Sequence, residues 1–182
     1  MSVIQFLKGL TGSTAASTTS TVVLEKKIGD DVLISIDLEN LQESTFAGMN
    51  LVYPSVVKPK LLNNGIACDV INGNLWSGLP TELLANDIMD HDTGQKYVYV
   101  SKVVKMGQPA EQSGRLVTVK FQCVAKGTGI VALESISIGR ILNGWAALYE
   151  PSSNPLQFDI ETPVEPPPVP LPGMVICIIN VE

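Results

Sequence analysis

Between Gly114 and Ile138 the sequence alternates. Val117, Val119, Phe121 and Cys123 fall on one side of an extended chain, and Thr118, Lys120 and Gln122 on the other. Successive side chains of a strand point to opposite faces, so a period of two predicts a β-strand with one buried and one wet face. Lys126-Gly127-Thr128-Gly129 follows, with two glycines free to take positive φ. The chain resumes with Ile130, Val131, Leu133, Ile136 and Ile138. Two strands joined by a tight turn are therefore the centre of the expected fold.

The pattern recurs along the chain. Val22-Val23-Leu24 reads as a first strand and Gly29-Asp30-Asp31 as a turn. In the next strand Val32, Ile34, Ile36 and Leu38 alternate with Leu33, Ser35, Asp37 and Glu39. Phe46 to Tyr53 places Ala47, Met49, Leu51 and Tyr53 on one face and ends at Pro54, which donates no ladder hydrogen bond. Val56–Leu62 and Ile66–Ile71 flank Asn63-Asn64-Gly65, a hairpin-turn signal. Tyr97–Val104, Ile141–Tyr149 and Leu156–Ile160 complete the strands. Leu79–Met89 is the one internal helix candidate, with Thr81 as N-cap and Leu83, Leu84 and Ile88 following, although a long loop also fits. Short strands at regular spacing predict an all-β fold, an antiparallel β-sandwich. The crossover helices of a parallel α/β fold are absent.

The expected organisation is an N-terminal arm over 1–21, a sandwich domain over 22–161, a spacer over 162–173 and a tail over 174–182. Thr11 to Thr21 is a Ser/Thr/Ala/Gly tract that buries nothing large and reads as an extended arm. Before it, Val3, Ile4, Phe6, Leu7 and Leu10 make a short amphipathic turn suited to a second contact. Six of the twelve prolines stand between Thr162 and Gly173. They predict a polyproline spacer reaching roughly 35 Å at about 3.1 Å per residue.

Beyond the spacer lie Met174, Val175, Ile176, Cys177, Ile178, Ile179 and Val181. Met174 to Ile179 is apolar on both strand faces. Leaving those six side chains in water forgoes burial on the order of 10 kcal/mol. The tail is therefore expected to be covered, as an edge strand of its own sandwich or, preferentially, as a strand added to a neighbour's sheet.

The chemistry of most enzymes is missing. His91 is the lone histidine, and its surroundings hold Asp87, Asp90 and Asp92 ahead of Gly94. These carboxylates are the one calcium candidate, against a solvated acidic turn; the EF-hand spacing is lacking. No other metal or cofactor is expected. No Gly-rich phosphate loop or Gly-x-Ser-x-Gly elbow occurs, so no catalytic residue is assigned. Trp76 and Trp145 could stack on sugars if exposed. Cys68, Cys123 and Cys177 are too widely spaced for a zinc knuckle and read as buried thiols, with one disulfide left open. A net charge of −6 and scattered cations argue against nucleic acid. No stretch is long enough for a membrane helix, and the first ten residues do not read as a signal peptide. Charged residues are only 16%, below the usual quarter, which suits a surface hidden against neighbours or one rich in neutral polar groups.

Ile28-Gly29-Asp30-Asp31-Val32 running into Ile34-Ser35-Ile36-Asp37-Leu38-Glu39-Asn40 resembles the opening of a cohesin domain. Phe46-Ala47-Gly48-Met49-Asn50-Leu51-Val52-Tyr53-Pro54 is similar to the cohesin strand that ends in an aromatic-Asp-Pro turn, here without its Asp. The late strands from Gly114 to Ile138 are also similar. The resemblance covers about residues 22–160 and departs from the family around Leu79–Asp92. It implies a jelly-roll, cohesin-like β-sandwich that binds protein; cohesins bind dockerins and sit in secreted scaffolds. The leading reading is a non-enzymatic structural subunit held by extended terminal arms and strand addition, either a virion decoration (capsid-cement) protein or an extracellular filament subunit, with homo-oligomer, capsid or filament partners. The alternatives are a cohesin-type protein-recognition module and a carbohydrate-binding module.

Overall fold

The structure is a computed structural model and describes residues 21–41, 44–90, 93–107, 112–140, 146–149 and 156–161. Among these residues every regular element is a strand. In chain order they are β1 (Thr21–Glu25), β2 (Asp31–Leu41), β3 (Phe46–Val52), β4 (Val57–Pro59), β5 (Val70–Asn72), β6 (Thr81–Met89), β7 (Lys96–Val104), β8 (Gln112–Cys123), β9 (Gly127–Arg140), β10 (Ala146–Tyr149) and β11 (Leu156–Glu161). They form two sheets. The larger runs β1-β11-β9-β3-β7-β6, with β10 also on β9; in the smaller, β2 and β4 flank β8, and β5 also pairs β8. The molecule is an all-β sandwich. One pair, β1 with β11, is parallel; the others are antiparallel.

Alternation places the core where the sequence puts it. Val32, Ile34, Ile36 and Leu38 of β2 are all buried, as are Val117, Val119, Phe121 and Cys123 of β8. Facing them are Ala47, Met49 and Leu51 of β3 and Val98 and Val100 of β7. Tyr53 meets Phe121 edge to face, ring centroids 5.3 Å apart, which ties the end of β3 to the smaller sheet.

Two expectations change. Leu79–Met89 is not a helix: Thr81–Met89 is strand β6, paired with β7 over nine positions. Asn86, Asp87 and Thr81 are poor helix formers, and the open edge of β7 supplies a ladder that outweighs local preference. The second change concerns the turn after Cys123. β8 lies in the smaller sheet and β9 in the larger, so the two strands face each other across the core and do not pair. The turn is an arch between layers, pinned where the amides of Val124 and Ala125 both donate to the Val56 carbonyl at 2.9 and 3.2 Å. Alternation states which face of a strand is buried; it does not name the neighbouring strand.

The sandwich edge at β6 is partly closed. Cys68 donates its amide to the Ala85 carbonyl, and Asp87 donates to that of Ile66, at 2.8 and 2.9 Å. Behind that contact, the Asn64 side-chain oxygen accepts from the amides of Ile66 and Ala67, closing the expected Asn-Asn-Gly turn.

Candidate functional site

The outer face of β9-β3-β7-β6 is built by the positions that alternate with the core. Register places them in rows across the sheet. Ala132, Val52, Tyr97 and Ile88 form one row. Glu134, Asn50, Tyr99 and Asn86 form the next. Ser137, Gly48, Ser101 and Leu84 follow, and Phe46, Val103 and Glu82 close the grid. Three aromatic rings and five aliphatic side chains thus share one sheet face with small neutral polar groups and two carboxylates, Glu134 and Glu82.

Gly48 shapes this surface. A Cβ added there would stand 2.7 Å from Phe46 Cζ and 3.5 Å from the Tyr99 hydroxyl. The missing side chain lets the Phe46 ring lie flat across the strand beside Tyr99, and Gly48 itself is buried beneath it. The face carries little charge. At its β6 margin Glu82 pairs with Lys105 at 2.9 Å, and the Lys105 ammonium holds the Glu82 carboxyl below its ordinary range.

The outer face of the smaller sheet is different in kind. It carries the ion pairs Lys60–Asp31, Arg115–Asp37 and Lys120–Asp69, at 2.8, 3.0 and 3.0 Å. Such paired, part-exposed charges are at ease in water and add little to stability. The contrast makes the less charged, aromatic face the stronger candidate for docking a protein, because interface centres are depleted of charge and enriched in aromatic side chains.

Two of the three calcium candidates, Asp87 and Asp90, accept hydrogen bonds within the fold. Asp87 points inward from β6 and accepts the Tyr53 hydroxyl at 2.6 Å. Its charge and burial raise the Tyr53 phenol, burial being the larger cause. Asp90 caps the β6–β7 turn, accepting the Thr93 amide at 3.0 Å. Asp92 and His91 lie outside the described residues, and among the described residues no group of three metal-ligating side chains comes together. Cys68 and Cys123 are buried free thiols; Cys177 lies outside. Trp76 is buried and closed to sugar stacking, and Trp145 lies outside the described residues. So do the arm positions Val3, Ile4, Phe6, Leu7 and Leu10 and the tail positions Met174, Val175, Ile176, Cys177, Ile178, Ile179 and Val181. Among the described residues no helix is long and apolar enough to cross a membrane.

Alternation alone does not reveal this face, yet the sequence carries a signal for it. Tyr97–Val104 carries aromatic or aliphatic side chains on both strand faces except at Ser101 and Lys102, and the outward set of Phe46–Val52 holds Phe46 and Val52. A strand with two apolar faces is covered twice or docks something.

No protein-family model matches this sequence, and no curated protein matches it. Solved cohesin structures do. A non-cellulosomal cohesin from the hyperthermophilic archaeon Archaeoglobus fulgidus matches with TM-score 0.50 at 18% identity, over 80% of this chain and 93% of that one. The type II cohesin dyad from the adaptor ScaA scaffoldin of Acetivibrio cellulolyticus matches with TM-score 0.55 at 15% identity over 80% of this chain; the match spans 49% of the dyad chain. A type II cohesin–X-dockerin complex from the same organism matches with TM-score 0.50 at 9% identity, over 79% of this chain and 96% of that one. The chain has a cohesin-like fold.

Proposed function

We propose that this chain is a non-catalytic protein-recognition module whose partner docks on the outer face of β9-β3-β7-β6. The observation that carries the reading is the near-uncharged grid built on Phe46, Val52, Tyr97, Tyr99 and Ile88, set against the ion-paired opposite face. Rigid aromatic side chains supply large contact area at low entropic cost. The similar cohesin–X-dockerin complex supports it further, since there a sandwich of this kind docks a protein. A photo-crosslinking residue placed at Tyr99, and in a separate protein at Lys120 on the opposite face, tests it in an extract of the source. The Tyr99 position should capture a defined protein whose purified form loses about tenfold or more in affinity to Tyr97→Ala. Equal capture from Lys120, or unchanged affinity, rejects the face.

A second reading keeps the terminal arms. The six-proline spacer and the apolar run Met174–Val181 favour a structural subunit of a virion or extracellular filament that adds its tail to a neighbour's sheet. Light scattering on the full chain and on a chain ending at Thr162 separates the readings. Assembly of the full chain alone supports the tail as connector. Two folded monomers leave recognition of a foreign protein.

A further inference from the structure

A groove of about 530 Å³ crosses the outer face of the smaller sheet. We propose that it binds a neutral, hydroxyl-rich ligand, a saccharide, recognised by the hydroxyls of Ser35 and Thr118, the Asn74 amide and the Asp37–Arg115 pair. The floor is the row Ser35, Thr118, Ile71, set by the pairing of β8 with β2 and β5. Ser35 and Thr118 are 3% and 4% exposed and bond to each other, oxygen to oxygen, at 2.7 Å. Two hydroxyls carry two protons, and their mutual bond uses one. Among the described residues no acceptor takes the second, and the two side chains face the groove.

The wall is pre-set. Where β2 pairs with β8 the register slips between Ile36 and Asp37, which brings Arg115 beside Asp37 and turns both Leu116 and Val117 into the core. Asn74 accepts the Arg115 amide at 2.8 Å through its side-chain oxygen. That bond fixes the amide and leaves its NH₂ donors unused among the described residues. Gly73 packs so closely on the β8 backbone that a Cβ would overlap the Arg115 carbonyl. From behind, Lys102 holds the carbonyls of Gly73 and Leu75 at 2.9 and 2.8 Å. A wall tied on both sides keeps its polar groups in place before a ligand arrives, which lowers the cost of binding.

The ligand class follows from what the groove offers. Arg115 is neutralised by Asp37 at 3.0 Å, so the site selects against anions and cations alike. β8 is paired on both sides at Thr118, so no free backbone ladder is offered to a peptide strand. What remains are mixed donors and acceptors with Leu33 and Ile71 as aliphatic sides. Vicinal hydroxyls backed by C–H faces match that set, and the volume is that of a small-molecule site. No aromatic platform is involved, so the burial of Trp76 does not bear on it.

The test is amide chemical-shift titration of the full-length, isotope-labelled protein with glucose, galactose, N-acetylglucosamine, cellobiose and maltose, each to millimolar concentration. At least one should shift the amides of Ser35, Gly73, Asn74, Arg115 and Thr118, leaving Tyr97 and Tyr99 unmoved. The paired substitution Ser35→Ala with Thr118→Val keeps the shape of the floor and removes both partners of one hydrogen bond, a change that folded proteins tolerate. It should leave the amide spectrum folded and weaken the saccharide about tenfold, the loss expected for one hydrogen bond. No shift with any of the five sugars overturns the proposal, as do shifts centred elsewhere or shifts of equal strength in the double variant.

Discussion

Lys102 Nζ donates to the Leu75 carbonyl at 2.8 Å, and to that of Gly73 at 2.9 Å, from a side chain that is 2% exposed. The lysine comes from β7 of the larger sheet and points into the sandwich. Its acceptors belong to the loop that donates in turn to β8, through Gly73 to Leu116 and Leu75 to Arg115. One ammonium therefore links the two sheets. No carboxylate faces it among the described residues, and burial holds its pKa below the ordinary lysine range.

Lys102→Met fills the same space without donors. Two buried carbonyls then lose their partner, and the expected cost is about 1–3 kcal/mol by urea unfolding at neutral pH. The pH dependence has a defined sign. Between the lowered folded value and about 10.4 the unfolded chain binds more protons than the folded one, so stability rises with pH across that window. The gap between wild type and Lys102→Met should widen from neutral pH towards about 10, the ordinary lysine value. A constant gap would mean that the ammonium suffers no desolvation.

Gly48→Ala and Gly129→Ala separate surface from core. At Gly48 the new Cβ meets only the far edge of the Phe46 ring, which can swing away. Stability should change by less than about 1 kcal/mol, since the loss of a strand glycine offsets the displaced ring, while partner affinity falls. At Gly129 the Cβ meets the closed ring of Pro54, which cannot move without its backbone. The expected cost is about 1–3 kcal/mol, as for other overpacked sites. Equal destabilisation at both positions would show Phe46 to be as fixed as Pro54.

Cys68 should resist alkylation. Burial first, and the neighbouring Asp87 second, push its thiol up to about 12, so under mildly alkaline conditions the reactive thiolate is scarce. In a Cys177→Ser background, native protein should react with iodoacetamide only as fast as it opens, and unfolded protein at once. The folded form holds the proton above the ordinary thiol value of about 8.5, so this group's contribution to stability is complete below that value and falls as pH rises beyond it. Cys68→Ala should lack that decline. Rapid native labelling with matching spectra before and after denaturant removal would contradict the buried thiol.

Tyr53→Phe removes the hydroxyl that donates to the inward Asp87 carboxylate while keeping the ring edge against Phe121. The unfolding free energy should fall by about 1–3 kcal/mol, the penalty of a part-buried polar group left without its partner. Asp87→Asn, which keeps an acceptor for the hydroxyl, should be milder. Reversed severity would assign the stability to the charge of Asp87 and not to the hydrogen bond.

The faces of the strands are legible in the residue order alone. Alternation in 32–38 and 117–123 names the buried side chains because a pleated chain has only two faces, and a β-sandwich follows from many such strands between turns. The partners are not legible there. The arch from β8 to β9 and the strand at 81–89 depend on which edge lies alongside, a choice made by packing at long sequence distance. The candidate sites share that dependence. Phe46 stands far along the chain from Tyr97 and Tyr99 and meets them because β3 pairs with β7. Ser35 meets Thr118 across 83 residues, and Lys102 finds carbonyls 27 and 29 residues before it. Sequence by itself determined strand content, the buried half of each strand and the turns, because these arise from local sterics and periodicity. Only tertiary structure decided which outward side chains became neighbours, because register and sheet order are settled by the whole core at once.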